Sequence, residues 1–218
     1  MNDIGVIGGA DGPTVILVTG GLARPVLWSF FGALALLALL YLCLYRRGGG
    51  GRALCLALAP LVCVLSDQTV KFLTVSAMAP GETQPLLPPL LQLARVHNYG
   101  AAWSSFSGAR WLLVALTAAA MGALVWLLVK IVRHPLGQWS LACVLGGGIG
   151  NLLDRVRLGY VVDMFETTFI DFPVFNVADI FVVCGTAGAL VYYLAFYSKS
   201  DEKNWGKPND GADPSASK

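Results

Sequence analysis

The chain has 218 residues, of which 56% are hydrophobic and only 13% charged, with a formal net charge of +2. That balance excludes an ordinary soluble domain, whose surface needs more polar cover, and points to the membrane class. A bilayer core about 30 Å thick needs roughly 20 mostly apolar helical residues, so runs of that length mark the expected spans.

In chain order, Met1 to Gly21 comes first. It is apolar but broken by glycines and Pro13, and reads as a re-entrant or surface leader rather than a span. Five runs of spanning length follow: Pro25 to Leu44, Ala53 to Phe72, Trp111 to Val132, Gln138 to Leu158 and Asn176 to Tyr197. The GGGGR stretch at Gly48 to Arg52 reads as a flexible hinge ending the first helix. Leu73 to Arg110 carries Pro80, Pro85, Pro88 and Pro89 and is no continuous helix; Leu91 to Asn98 partly alternates apolar with polar, as a short strand does. Ser198 to Lys218 is polar, with Gly, Pro and Ser, and reads as a disordered tail. The expected divisions are a leader at 1–24, an added transmembrane helix with its hinge at 25–52, a membrane domain at 53–197 containing an outer insert at about 73–110, and a tail at 198–218.

Basic residues in short loops set the orientation, because Lys and Arg are retained on the cytoplasmic side. Arg46, Arg47 and Arg52 separate the first two runs, Arg133 and His134 the third and fourth, and Lys199, Lys203 and Lys207 follow the fifth. The outer side then holds the N-terminus, Leu73 to Arg110 and Gly159 to Phe175, with Arg24, Lys71, Arg95, Arg110, Arg155 and Arg157 as basic exceptions. Cys43, Cys55, Cys63, Cys143 and Cys184 all fall inside apolar runs, where they read as small hydrophobes without a disulfide framework or metal spacing.

Ionisable residues at membrane depth are costly, so polar clusters at span ends are functional candidates. Four such clusters exist: Asp67, Gln68 and Lys71; Asn98 with the following GAAWS; Asn151, Asp154, Arg155 and Asp163; and Asn176 with Asp179. All four fall on the expected outer side. No hydroxyl, imidazole or thiol arrangement offers a nucleophile, which leaves carboxylates. Two close carboxylates share a proton and can activate water and protonate a leaving group. Asp163 and Asp179 are the best pair, with the helix N-terminus favouring ionised Asp179 and leaving the shared proton to Asp163. Simpler roles compete. Asn176 and Asp179 have the spacing of a helix cap. Asp154 beside Arg155 reads as a structural ion pair, and Asp67 with Lys71 as an i,i+4 pair. The GGGIG at Gly146 to Gly150 reads as a close-packing helix face.

At these clusters the chain resembles the lipoprotein signal peptidases, or signal peptidase II, over about Leu54 to Tyr197. SDQTVKF carries Asp67, Gln68 and Lys71; VHNYGAAWS carries Asn98, Gly100 and Ala101; GGGIGNLLDRVRLGYVVDMF and FNVADI supply Asn151, Asp154, Arg155, Gly159, Val162, Asp163, Asn176, Ala178 and Asp179. The resemblance implies a polytopic α-helical membrane protein of four core helices, here with one extra N-terminal helix, and a small extracytoplasmic β-cradle. It implies a metal-independent aspartic endopeptidase without cofactors, in the bacterial cytoplasmic membrane, with Asp163 and Asp179 catalytic. Asp67, Lys71, Asn98, Gly100, Asn151, Arg155, Val162 and Asn176 would bind substrate or support the site. Its expected partners are membrane lipid and a diacylglyceryl-modified prolipoprotein, cut just before the lipidated cysteine, and no nucleic acid. Trp103 stands where that family usually has phenylalanine. The leader DIGVIGGADGPTVILV resembles a short stretch of the β subunits of sodium-pumping decarboxylases. Rival readings are an ion-coupled transporter or transporter subunit, whose carboxylates would lie near the bilayer midplane, and a membrane adaptor whose polar span ends only cap helices.

Overall fold

The computed structural model describes residues 21–43, 49–100 and 105–197. The leader before residue 21, Trp103 and the tail from Ser198 lie outside the described residues. The elements in order are α1 (Ala23–Cys43), α2 (Gly49–Ala77), β1 (Thr83–Leu87), β2 (Leu91–Asn98), α3 (Arg110–Trp126, continued by a π-helical stretch Leu127–Ile131), α4 (Pro135–Arg157), β3 (Val161–Thr167) and α5 (Val177–Phe196).

Among the described residues four helices are long and apolar enough to cross a membrane: Ala23–Leu42, Gly49–Ala77, Arg110–Ile131 and Val177–Phe196. They leave large apolar side chains such as Trp28, Phe72, Trp111 and Leu194 uncovered, as lipid-facing surfaces require. The chain is a multi-pass membrane protein. The run expected at Gln138 to Leu158 does form a helix, α4, of 23 residues, but it is less apolar than the others. Its position explains this. α4 packs against α2, α3 and α5 and buries Gln138, Ser140 and its glycines inside the bundle, so little of it meets lipid.

The glycine face of α4 sets those approaches. A Cβ on Gly146 would lie 2.5 Å from Cys63 Cβ on α2, one on Gly147 would lie 2.3 Å from the Ala178 carbonyl on α5, and one on Gly148 would meet Met121 Sδ on α3 at 2.5 Å. The packing role read from GGGIG is therefore the observed one. The hinge expected at Gly48 to Arg52 is shorter than read: Gly49 to Gly51 already belong to α2, where Arg52 anchors the helix start. Arg52 donates to Gln138 Oε1 at 2.8 Å and to the Arg133 carbonyl, so the starts of α2 and α4 share one end of the bundle. α4 itself opens with Pro135 at its first turn and His134 as cap, accepting from the Leu136 amide.

The opposite end carries a three-stranded antiparallel sheet, ordered β1-β2-β3. Leu91 to Asn98 forms a strand as its alternation predicts. β3 was not anticipated, because Gly159 to Phe175 reads as a loop, yet Val161 to Phe165 are buried between the sheet and the bundle. The pairing of β2 with β3 shifts between Leu93 and Val96, and β3 is tied on its other edge to Phe175. Leu93, Met164 and Phe165 join Val70 of α2 and Phe181 of α5 in one apolar core, which fixes the sheet to the helices.

The basic residues expected on the outer side close helix ends. Arg95 donates to the Val75 and Met78 carbonyls at the end of α2, and Arg110 to the Arg155 and Val156 carbonyls at the end of α4. Both are favourable charges at helix C-termini. Gly159, with φ +89°, lets the chain leave α4 in the left-handed conformation that a glycine tolerates best.

Gly147→Val is expected to destabilise the protein by about 1–3 kcal/mol or more, because the new side chain collides with the α5 backbone. Gly122→Val, where nothing lies within 4 Å of the added carbon, should move the unfolding midpoint in detergent far less.

Candidate active site

The site is built in two layers at the sheet end of the bundle. The deeper layer centres on Lys71, a lysine only 4% exposed. Its Nζ lies 2.8 Å from Asp67 Oδ2, one helical turn back on α2, and 2.9 Å from Asp154 Oδ2 on α4. The expected Asp67–Lys71 pair forms. The expected pairing of Asp154 with Arg155 does not, because neighbours on a helix point about 100° apart and Lys71 lies on the side that Asp154 faces. Gln68 adds a side-chain amide, donating to Asp154 Oδ1 at 2.9 Å and Asp67 Oδ2 at 3.2 Å. Gly150 leaves room for Asp67, whose Oδ2 would sit 2.7 Å from a Cβ there.

Each of these buried carboxylates also grips backbone. Asp67 Oδ1 accepts from the Ala178 amide at 2.9 Å, and Asp154 Oδ2 from the Val162 amide at 3.1 Å. Ala178 immediately precedes Asp179, and Val162 immediately precedes Asp163. The deep layer thereby holds the two segments that carry the upper pair.

The upper layer is a ladder of three asparagines between Asp163 and Asp179. Asp163 accepts from Asn98 Nδ2 at 2.9 Å and from Asn176 Nδ2 at 2.6 Å. Asp179 accepts from Asn151 Nδ2 at 2.8 Å and from the Asn176 amide at 3.1 Å. Asn176 Oδ1 accepts in turn from the Asp179 amide at 3.0 Å, completing a reciprocal cap on α5. The capping role foreseen for this pair is therefore real, and it coexists with membership of the cluster. Asn151 Oδ1 accepts from Lys71 at 3.1 Å and from Asn176 Nδ2 at 3.0 Å, joining the layers. Gly100 donates its amide to Asn98 Oδ1 at 2.9 Å and accepts from Arg155 at 2.9 Å, which orients Asn98.

Asn98, Asn151, Arg155, Asp163, Asn176 and Asp179 all line one cavity of about 650 Å³. Phe172, Val182 and Val183 form part of its apolar wall. Asp67, Lys71, Gly100 and Val162 lie outside that lining and act through the contacts above. Asp163 is only 3% exposed. Its burial, with a smaller contribution from the Asp179 charge, raises its pKa from 3.8 to about 6, against the opposing pull of the Asn98 and Asn176 hydrogen bonds. Such a carboxyl keeps its proton to about pH 6 beside a second carboxyl, the arrangement needed for paired acid and base work. Among the described residues no cluster of three or more His, Cys, Asp or Glu side chains could hold a metal ion.

The order of these residues along the chain matches a known family. A family model described as signal peptidase (SPase) II covers residues 59–196. The chain belongs to the signal peptidase II family. Among its relatives, the lipoprotein signal peptidase of Lactococcus lactis subsp. cremoris (strain MG1363) is 38% identical over 143 residues, covering 66% of this chain and 93% of that relative. That of Enterococcus faecalis (strain ATCC 700802 / V583) is 41% identical over 131 residues, covering 59% and 80%. A solved structure described as a bacterial membrane enzyme, determined by the in meso method at 2.3 Å, superposes with a TM-score of 0.61 at 29% identity, over 66% of this chain and 92% of that one. The signal peptidase II assignment makes the chain a protease, and nothing in these matches supports the transporter alternative.

Two contributors to the signal peptidase II site escaped the sequence reading. The cavity rim formed by Asp171 to Phe175 lies in what reads as a plain loop, although its aromatic and proline content set it apart. Gln68 stands in the cluster with Asp67 and Lys71, and its position one residue from Asp67 is the available signal.

Lys71→Met is expected to cost about 3–5 kcal/mol, since it strands two buried carboxylates; thermal unfolding in detergent reads this directly. Asp163 gives a pH signature. Because its pKa is raised in the folded protein, its contribution to stability is greatest below the unfolded value of 3.8 and declines as pH climbs to about 6. The difference in unfolding midpoint between the wild-type protein and Asp163→Asn should change over that window and flatten above it.

Proposed function

We propose that this protein is a membrane aspartic endopeptidase that removes the signal peptide of a diacylglyceryl-modified prolipoprotein by cutting just before the lipidated cysteine. The observation that carries the reading is the shared hold of Asn176 on Asp163 and Asp179, with both carboxyls lining one cavity. The names of the relatives, lipoprotein signal peptidases, supply the substrate class.

The Asp179 carboxylate, in the first turn of α5, takes a proton from water. The resulting hydroxyl attacks the scissile carbonyl carbon, and protonated Asp163 donates to the carbonyl oxygen. Collapse of the tetrahedral intermediate breaks the C–N bond, the nitrogen leaving with a proton from Asp179 while Asp163 regains its own. No cofactor enters this sequence. Asp67, Lys71, Asn98, Gly100, Asn151, Arg155, Val162 and Asn176 hold the pair in place. The basic loops, which favour the cytoplasmic side, support a site at the outer face of the bacterial cytoplasmic membrane, where a lipid anchor can stay in the bilayer while the bond meets water. The membrane domain at 53–197 carries the activity, with α1 an addition to it.

Asp163→Asn and Asp179→Asn are each expected to lower cleavage of a lipid-modified precursor, followed by gel shift, by about 10²–10⁴-fold. Asn at 179 keeps an acceptor for the Asn176 amide, so its stability should change by no more than about 1 kcal/mol. Full cleavage by both variants would end the aspartic reading. Above about pH 6 the rate is expected to fall as Asp163 loses its proton.

A further inference from the structure

The rim of the cavity holds a charge that no neighbour answers. Three carboxyl groups, of Asp163, Asp171 and Asp179, and the Arg155 guanidinium line it. Asp163 and Asp179 are held by asparagine side chains, and Arg155 donates to the Gly100 carbonyl. Asp171 is exposed and has no hydrogen bond or ion pair among the described residues.

The chain fixes Asp171 in place from both sides. Before it, Thr167 Oγ1 donates to the Ile170 carbonyl at 3.1 Å, and the Thr168 amide donates to the Leu90 carbonyl at 3.1 Å. After it, the Phe172 ring meets Phe175 edge-on at 5.9 Å, and Phe175 exchanges backbone hydrogen bonds with Phe165 of β3 at 2.7 and 3.0 Å. Asp171 is therefore a positioned carboxylate at the mouth, set between the exposed apolar side chains of Ile170 and Phe172.

The carboxyl pair divides the cavity in two. Val182 and Val183 lie about one turn further along α5 than Asp179, on the part of the helix that enters the bilayer, whereas Asp171 precedes that helix. The apolar stretch of a signal peptide belongs with Val182 and Val183, so the chain beyond the lipidated cysteine leaves past Asp171. The field of an exposed charge reaches about 8 Å at physiological salt, which covers two or three extended residues at about 3.3 Å each. Attraction of a basic residue there, and repulsion of an acidic one, needs no fixed contact.

We propose that Asp171 is a specificity-determining residue that favours basic and disfavours acidic side chains in the first two or three positions after the lipidated cysteine, an assignment that rests on the peptidase reading.

The test uses three diacylglyceryl-modified precursor peptides that differ only in the two residues after the lipidated cysteine: both Lys, both Ser or both Glu. In a neutral detergent at low salt, kcat/KM is measured for the wild-type protein, Asp171→Asn and Asp171→Lys. The quantity read is the ratio of the Lys peptide to the Glu peptide within each protein, which cancels any general change in activity. It is expected to be about fivefold for the wild-type protein, close to one for Asp171→Asn and inverted for Asp171→Lys. At about 1 M salt, where screening shortens the field to about 3 Å, the wild-type ratio should fall toward one. A wild-type ratio near one at low salt, or the same ratio in the wild-type protein and Asp171→Asn, would overturn the assignment. Unfolding midpoints check that the variants fold; should Asp171→Lys not fold, Asp171→Asn decides alone. Cleavage of the Ser peptide by the wild-type protein but not by Asp163→Asn tests the peptidase reading separately, so the two failures are distinguishable.

Discussion

A single buried ammonium group organises the sheet end of this molecule. Lys71 neutralises Asp67 and Asp154, and those carboxylates spend their remaining acceptor capacity on the backbone of α5 and β3, one residue before Asp179 and Asp163 respectively. Buried charges of this kind are tolerated only when paired and hydrogen-bonded throughout. Satisfying that demand requires α2, α4, α5 and β3 to meet in one arrangement, so the electrostatic constraint on the deep layer becomes a positional constraint on the upper one.

Above that layer the partners are neutral amides. Asn98, Asn151 and Asn176 hold the upper carboxyls without placing a full positive charge in hydrogen-bond contact with either. An arginine or lysine in their place would favour ionisation of both groups. With amides, burial prevails at Asp163 and its proton is retained to about pH 6. The reciprocal cap at Asn176 and Asp179 shows one pair of residues starting a helix and aiming a carboxyl at once, which is economical because a cap already fixes the side-chain direction.

The basic residues on the sheet side follow the same logic of satisfied backbone. Arg95 and Arg110 close the C-terminal carbonyls of α2 and α4, and Arg155 bonds the Gly100 carbonyl. Each is thereby committed locally, to backbone carbonyls at the sheet end of the bundle.

Much of this was legible in one dimension. Apolar runs gave the helices, since a bilayer demands length and hydrophobicity whatever the tertiary contacts; proline and alternation located β2; and the polar clusters at span ends named the residues of both layers. What the linear order could not supply was partnership between elements. Asp154 sits beside Arg155 in sequence but turns to Lys71, 83 positions away, because helical geometry separates neighbours and unites distant faces. β3 reads as a loop because its burial comes from the sheet on one side and the bundle on the other, a fact of packing rather than of pattern. The sequence by itself determined which side chains carry charge, at which end of each helix they stand, and the local pairs within one helix; the tertiary structure alone decided which groups pair between elements, because desolvation makes buried charges and amides find partners across the fold.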